Sequence, residues 1–168
     1  MEQFIGVGLP DVGLLATDGR MINPSRETGV CVFFCYPYTG RPGYADPERW
    51  DDIPGAHGST PQALGFSEAC ETYQKLNVKV FGVSFQDAFW QREFVERNAL
   101  QVPLLSDHAR KFSTALLLET FKAGADDYLK RVTLIAIDGT IVAARMPVEA
   151  PGMDAIETLQ LIEGLSAP

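Results

Sequence analysis

The sequence predicts an α/β protein in which helices cover a central mixed β-sheet. Apolar runs rich in β-branched and aromatic residues alternate along the chain with stretches in which apolar residues recur at helical spacing. Runs of the first kind are typical of strands that are buried on both faces. Asp138-Gly139 joins the last two strand-like runs, and Asp-Gly between strands is a strong hairpin signal. Alternation that ends in a hairpin indicates a three-layer sandwich with a mixed sheet.

Four strands are predicted in chain order. The run 30–36 is apolar throughout and is stopped by Pro37, so we expect it to be the central strand. The other three predicted strands are 78–84, 131–137 and 140–145.

Four helices are predicted around these strands. The first carries Phe66, Ala69, Cys70 and Tyr73 on one face, at the spacing i, i+3, i+4, i+7. Asp87 is expected to cap the second helix, and Ser106-Asp107 the third. The last helix is expected to begin with a capping box of Asp154 and Glu157 and to end at Gly164.

Composition limits the class of protein. The 168 residues favour a single domain over 1–168, and a net charge of −8 argues against nucleic acid or an anionic membrane as partner. We expect a small-molecule substrate instead. The chain has no apolar run long enough to span a bilayer and no basic start of the signal-peptide kind, which favours the cytoplasm. Three cysteines fit a reducing compartment better than a disulfide framework.

One long stretch, 37–58, shows no periodicity and is rich in proline and glycine. A loop of this length inside a compact domain is usually functional or disordered. Tyr38 and Trp50 favour a packed loop that lines or covers a pocket. The alternative is a solvated surface loop held by one tryptophan.

The segment 53–63 indicates a helix start. Thr60 is expected to cap the helix, with Pro61 at its first position. The free N–H groups and partial positive charge of a helix start lower the pKa of a nearby thiol. The polar side chain at this point, however, is Ser59, an alcohol that does not ionise near neutral pH without a strong base.

Six segments, spread over nearly the whole chain, follow one another in the order and spacing of a known family. They are Leu9-Pro10-Asp11, 17–20, 32–37, 81–84, 103–107 and 131–138. With them the chain resembles a peroxiredoxin, and the resemblance implies a thioredoxin-like fold. The stretch 50–56 in front of Thr60-Pro61-Gln62 is similar to the bacterioferritin-comigratory branch.

The resemblance implies a site at the helix start. In the family, a cysteine thiolate on the first helical turn attacks the peroxide, which a threonine and an arginine hold; these match Thr60 and Arg131. The cysteine positions of the resembling branch fall on Ser59 and Leu64, and the commoner spacing gives Ala63. None of the three carries sulfur.

The remaining predicted site residues lie in the irregular stretch before Thr60 and directly after it. We expect Pro54, Pro61, Tyr38 and Trp50 to contact the substrate, and the family often forms homodimers.

The three thiols differ in what their positions predict. Cys70 lies on the apolar helix stripe and Cys31 inside the first strand, so both are expected to pack in the core, with a resolving role as the alternative for Cys70. Cys35 is expected to pack as well, but it lies near the end of its strand, so an exposed thiol is the alternative at this position. If Cys35 is reactive, it should be a thiolate at neutral pH.

His57 is the candidate acid or base. It lies two residues before Ser59, but no orienting carboxylate is expected beside it, so a loop histidine bonded to backbone is the alternative to a base and nucleophile pair. His108 is expected to be exposed. Two scattered histidines predict no metal site, and no cofactor is expected.

Two classes of function remain open. One is a divergent enzyme that acts on a small hydroperoxide or other electrophile, either through Cys35 or without sulfur through Thr60, Arg131, Ser59 and His57. The other is a binding module with a degenerate site. A third explanation, replacement of the cysteines by design, is disfavoured because leucine at position 64 is an unusual engineered substitute.

Overall fold

A seven-stranded mixed sheet forms the centre of the computed structural model, which describes residues 1–166. Its spatial order is β2-β1-β5-β4-β3-β8-β9, and a separate two-stranded hairpin comprises β6 and β7. The strands are β1 (Leu14–Ala16), β2 (Met21–Ile22), β3 (Val30–Cys35), β4 (Val78–Ser84), β5 (Leu104–Ser106), β6 (Thr120–Ala123), β7 (Asp126–Leu129), β8 (Val132–Ile137) and β9 (Thr140–Arg145).

The predicted central strand is confirmed. β3 pairs in parallel with β4 and antiparallel with β8, so that Phe33 lies between Phe81 and Leu134. Both faces of β3 are buried, which explains why its sequence does not alternate.

The predicted hairpin is confirmed as well. Asp138 and Gly139 join β8 to β9 with positive φ angles of 48° and 78°. A Cβ on Gly139 would lie 2.5 Å from the carbonyl oxygen of Ser25, so the turn requires glycine for space as well as for conformation.

Helices lie on both sides of the sheet. Those of one side pack through Phe66, Tyr73, Phe94 and Ile162, whereas Phe112 packs on the opposite side. The helices are α1 (Ser59–Glu68), α2 (Cys70–Lys75), α3 (Ala88–Asn98), α4 (Lys111–Ala115) and α5 (Asp154–Ser166). The α/β sandwich with a mixed sheet is therefore confirmed. No helix within residues 1–166 is long and apolar enough to cross a membrane.

The first predicted helix is divided. Its apolar stripe is present, with Phe66 and Tyr73 buried, but the structure has two helices that meet at Ala69.

Two carboxylates cap helices as expected. Asp87 accepts a hydrogen bond from the backbone N–H of Trp90 at 2.8 Å. The Asp107 carboxylate accepts from the N–H groups of Phe112 at 3.0 Å and Ser113 at 2.9 Å, although α4 begins four residues after Asp107.

The predicted start of α1 is wrong by two residues. The helix begins at Ser59 after Gly58, whose φ is 116°, so Thr60 is the second helical residue and no side chain caps the helix. Gly58 is required here, since a Cβ would lie 2.7 Å from the ring of Pro151 and the backbone is in a region that side chains disfavour.

The capping box predicted for α5 is also wrong. Asp154 is the first residue of the helix, and its buried carboxylate bonds Thr133 and Gln62, while Glu157 pairs with Arg145. The helix continues beyond Gly164 to Ser166.

Candidate active site

The site is built around the first turn of α1. Gly58 turns the chain so that the backbone N–H groups of Ser59 and Thr60, which have no acceptor within the helix, lie at its open end. Ser59 is 3% exposed, and its hydroxyl accepts a hydrogen bond from Arg131 Nη1 at 3.1 Å.

Arg131 holds the approach to α1 in place. It lies directly before β8, and its Nη1 also donates to Gln62 Oε1 at 2.8 Å. Its Nη2 donates to three consecutive carbonyl oxygens, those of Gly55 (3.3 Å), Ala56 (3.1 Å) and His57 (2.9 Å). Both terminal nitrogens therefore bind the protein itself.

Burial affects the charge of Arg131 only moderately. It lowers the pKa of the guanidinium to about 10, and the nearby Asp154 carboxylate acts in the opposite direction. Arg131 consequently remains positively charged at neutral pH behind the start of α1.

A buried carboxylate supports this arrangement from the other side. Asp154, which is 0% exposed, accepts from Gln62 Nε2 at 2.9 Å, from the Thr133 hydroxyl at 2.5 Å and from Arg145 Nε at 3.0 Å. A continuous hydrogen-bonded series thus joins α1, β8, β9 and α5. Gln62 and Thr133 were not predicted as site residues, because only the fold brings them to the Asp154 carboxylate.

A cavity of about 180 Å³ opens at the start of α1. Three of the residues expected to contact a substrate, Tyr38, Trp50 and Pro61, line it together with Ser59 and Thr60. The remaining lining residues are Gly40, Asp46, Ala56, His57 and Gly58. The structure thus brings most of the expected site residues to one small cavity.

Pro54 does not belong to this group. It lines a separate cavity of about 390 Å³ with Phe121, Met146 and the edge of Arg131. The reason is that the 55–57 backbone, held by Arg131, passes between Pro54 and the start of α1.

His57 has the carboxylate partner that its sequence did not predict. Its ring Nε2 lies 2.6 Å from Asp51 Oδ1, and both side chains are largely exposed. Among the described residues the ring makes no hydrogen bond to the Ser59 hydroxyl, whose partner is Arg131. A base and an alcohol are therefore present at the cavity, but not in contact.

Cys35 packs in the core, as expected, and the alternative of an exposed, reactive thiol is contradicted. The residue is 0% exposed, since β4 and β8 flank the end of β3 and pair it with Val83 and Val132. Burial raises the pKa of the Cys35 thiol far above its usual range, and the Asp107 carboxylate adds to the shift. Cys35 is therefore neither accessible nor a thiolate at neutral pH, and the geometry removes it from the candidate site.

The other two thiols are also protonated at neutral pH. Burial raises the pKa of Cys31 to about 11, and it raises that of Cys70, which is only partly buried. Neither lines the cavity at the start of α1.

The stretch 37–58 is exposed over much of its length, but it is anchored to the rest of the protein by Trp50. Trp50 is 4% exposed, and its ring lies 5.5 Å from Tyr38, 5.1 Å from Tyr128 and 5.7 Å from Phe121, measured between centroids. The loop is thereby fastened to the β6–β7 hairpin and forms one wall of the cavity.

Known proteins share both the sequence and the fold. The AhpC/TSA family model matches residues 54–144, more than half of the chain. The chloroplastic peroxiredoxin Q of Oryza sativa subsp. japonica and the putative one of subsp. indica are each 32% identical over 108 residues, which is 63% of this chain and 42% of theirs. The chain thus spans less than half the length of these curated relatives.

Solved structures extend the similarity over nearly the whole chain. A cysteine-to-serine mutant of Xylella fastidiosa PrxQ has a TM-score of 0.78 at 20% identity and covers 97% of both chains. Peroxidoxin BcpB from Mycobacterium tuberculosis has a TM-score of 0.77 at 18% identity, covering 97% of this chain and 98% of its own. Family model, relatives and fold agree, and the chain belongs to the AhpC/TSA family of peroxiredoxins with their thioredoxin-like fold.

Proposed function

We propose that this chain binds a small oxygen-containing molecule, of the hydroperoxide or alcohol class, at the start of α1 and does not reduce peroxides through a thiol. The observation that carries the proposal is the buried Ser59 hydroxyl, which is hydrogen-bonded to Arg131 on the first turn of α1. Reduction of a peroxide by a thiol would need a cysteine thiolate at this helix start, and a serine hydroxyl does not provide one.

The state of the nucleophiles supports the absence of thiol catalysis. All three thiols have raised pKa values, and none lines the cavity. Ser59 has no base in hydrogen-bond contact, and its charged partner Arg131 stabilises an oxygen without accepting a proton from it.

The free polar groups support binding. The N–H groups of Ser59 and Thr60 and the positive end of α1 favour an oxygen acceptor, and the Arg131 charge behind them adds to this preference. Tyr38 and Trp50 offer an apolar wall, and the volume of about 180 Å³ admits only a small ligand.

The proposal is tested by introducing a cysteine at the start of α1. We expect Ser59→Cys to form a sulfenic acid with hydrogen peroxide, detected by mass spectrometry after dimedone labelling, while the unchanged chain remains unlabelled. Ala63→Cys and Leu64→Cys are matched controls, and both should react far more slowly, since Ser59 lines the cavity at the start of α1 and neither Ala63 nor Leu64 does.

Two outcomes would overturn the proposal. One is sustained peroxide turnover by the unchanged chain with dithiothreitol as reductant. The other is a Ser59→Cys variant that reacts no faster than Ala63→Cys. Binding itself is followed by titrating tert-butanol and recording the amide signals of Ser59 and Thr60 by NMR, which should shift together and saturate.

An acid–base enzyme is the second candidate, and the His57–Asp51 pair at the edge of the cavity favours it. An imidazole held by a carboxylate is suited to move a proton on a bound substrate. Hydrolysis of p-nitrophenyl acetate by the unchanged chain, abolished in His57→Gln and retained in the matched control His108→Gln, would favour the enzyme over the binding protein.

A further inference from the structure

A second cavity, of about 280 Å³, lies at the carboxyl ends of the parallel strands. Pro37 follows β3, Phe85 follows β4, and His108 follows β5, and these three strands run parallel in adjacent positions. Ligands of α/β proteins typically bind outside the carboxyl ends of such strands. Apart from Tyr38, none of the residues predicted for the site at the start of α1 lines this cavity.

Aromatic side chains form much of its wall. Tyr38, Phe85, Trp90 and Tyr128 line it. The Tyr38 ring lies 5.8 Å from that of Trp90 and 6.0 Å from that of Tyr128, the latter pair at an angle of 89°, so the rings make a corner rather than a flat stack. Such corners suit a compact cation, which is attracted to several ring faces at once.

The protein already places cations on these rings. The guanidinium carbon of Arg110 lies 4.5 Å from the centre of the Phe85 ring, and that of Arg41 lies 6.0 Å from the Trp90 ring. The local environment thus favours positive charge beside the aromatic wall.

The ionisable groups of the cavity have an excess of negative charge. The lining carries three carboxylates, Asp87, Asp126 and Asp127, against one guanidinium, that of Arg110. Arg110 pairs with Asp127 at 3.2 Å, so its charge is compensated inside the cavity. Lys122 also contacts Asp127, from outside the lining.

Two of these carboxylates have no cationic side chain as partner, although Asp87 also caps α3. Within residues 1–166, neither Asp87 nor Asp126 forms a salt bridge. Burial raises the pKa of the Tyr128 phenol, and the Asp126 carboxylate adds to the shift, which indicates that the negative field reaches the aromatic wall. The net charge of −8 adds long-range attraction for cations and repulsion for anions.

We propose that this cavity is a binding site for a small organic cation of the alkylammonium class. The aromatic corner would hold the alkylated head, and Asp126 and Asp87 would supply the counter-charge. Phosphate-bearing and carboxylate ligands are disfavoured by the same carboxylates. Among the described residues, only Tyr38 lines both this cavity and the one at the start of α1; Ser59 lines only the latter, so the proposal does not depend on chemistry at Ser59.

The test compares choline with 3,3-dimethylbutan-1-ol, its neutral carbon analogue of nearly equal shape. Binding is measured by calorimetry and by the indole N–H signal of Trp90 in NMR spectra. We expect saturable binding of choline and about tenfold or more weaker binding of the neutral analogue. Equal affinities, or no saturable binding of choline to the folded chain, would overturn the proposal.

A pair of variants separates the local carboxylate from the overall charge. Asp126→Asn and Glu163→Gln each raise the net charge by one, but only the first changes the cavity, and Glu163 is an exposed residue of α5. We expect Asp126→Asn to weaken choline binding several-fold and Glu163→Gln to leave it nearly unchanged. Equal effects of the two substitutions would mean that the cation is attracted by net charge alone and that the cavity is not its site.

Discussion

The starts of α1 and of the two helices α3 and α4 are built in opposite ways. Asp87 and Asp107 direct carboxylates at the free N–H groups of α3 and α4 and so complete their hydrogen bonding. No side chain does this for α1, where Gly58 precedes the helix and Ser59 is turned towards Arg131. Arg131 thus holds the first turn of α1, while among the described residues no side chain caps its backbone N–H groups.

The capped starts of α3 and α4 stabilise their helices, whereas the uncapped start of α1 is free to bind a ligand. A capping side chain stabilises a helix by typically about 1 kcal/mol, and the start of α1 lacks this contribution. Instead, Ser59 and Thr60 line a cavity in which a ligand could accept from their N–H groups. Stability at this point comes from the hydrogen bonds of Arg131.

The largest effect is expected for Arg131→Ala. The substitution would leave Gln62 Oε1 and three backbone carbonyl oxygens without their donor. We expect the free energy of unfolding, measured by urea denaturation, to fall by about 3 kcal/mol or more, since each buried polar group left without a partner costs about 1–3 kcal/mol. Lys130→Ala is the control, because its ion pair with Glu119 is exposed and should contribute less than about 1 kcal/mol. Similar losses for the two would contradict the supporting role of Arg131.

Asp107→Ala should have the next largest effect. The carboxylate is 1% exposed and accepts from two backbone N–H groups, which would remain buried without a partner. We expect a loss of about 2 kcal/mol in the same measurement. Asp107→Asn keeps one acceptor oxygen and should recover part of the loss. A loss in Asp107→Asn as large as in the alanine variant would show that the charge, rather than the cap, matters.

Asp87→Ala should destabilise less. Its carboxylate accepts from one N–H group, that of Trp90, at an exposed helix start. We expect a loss of about 1 kcal/mol by urea denaturation. Asp87 also lines the second cavity, so choline binding should weaken together with stability. A loss greater than that of Asp107→Ala would reverse the ranking of the two caps.

Thr60→Val should have the smallest effect on stability. The Thr60 hydroxyl has no hydrogen-bond partner within residues 1–166 and lines the cavity at the start of α1. We expect the free energy of unfolding to change by less than about 0.5 kcal/mol. In the Ser59→Cys background, however, the same change should slow sulfenic acid formation. A stability loss comparable to that of Asp87→Ala would mean that Thr60 serves the fold and not a ligand.

The sequence predicted the elements that carry their own signal. β3 and β4 are continuous apolar runs, and Asp87 and Asp138-Gly139 are local start and turn signals. β1 and β2 were not predicted, because strands of three and two residues depend on their pairing partners more than on their own pattern. For the same reason the β6–β7 hairpin, of mostly exposed or half-buried residues, was not predicted.

The sequence predicted which residues belong to the candidate site better than it predicted how they are arranged. The resemblance identified Thr60, Arg131 and Ser59, which the structure brings to the start of α1. It did not predict that the terminal donors of Arg131 bind Gln62 and the 55–57 carbonyl groups. The alternative of an exposed Cys35 was contradicted, because exposure at a strand end depends on how far the neighbouring strands extend, which no local pattern encodes.

By itself, the sequence determined the family, the central strands and the presence of an alcohol, that of Ser59, directly before Thr60-Pro61, because these follow from residue types and short-range spacing. Only the tertiary structure decided how that alcohol is held. Ser59 and Arg131 are 72 residues apart in the chain, and Gln62 and Asp154 are 92 apart. Their hydrogen bonds form because the sheet aligns β8 with the start of α1, and burial then makes each of these polar groups depend on the others.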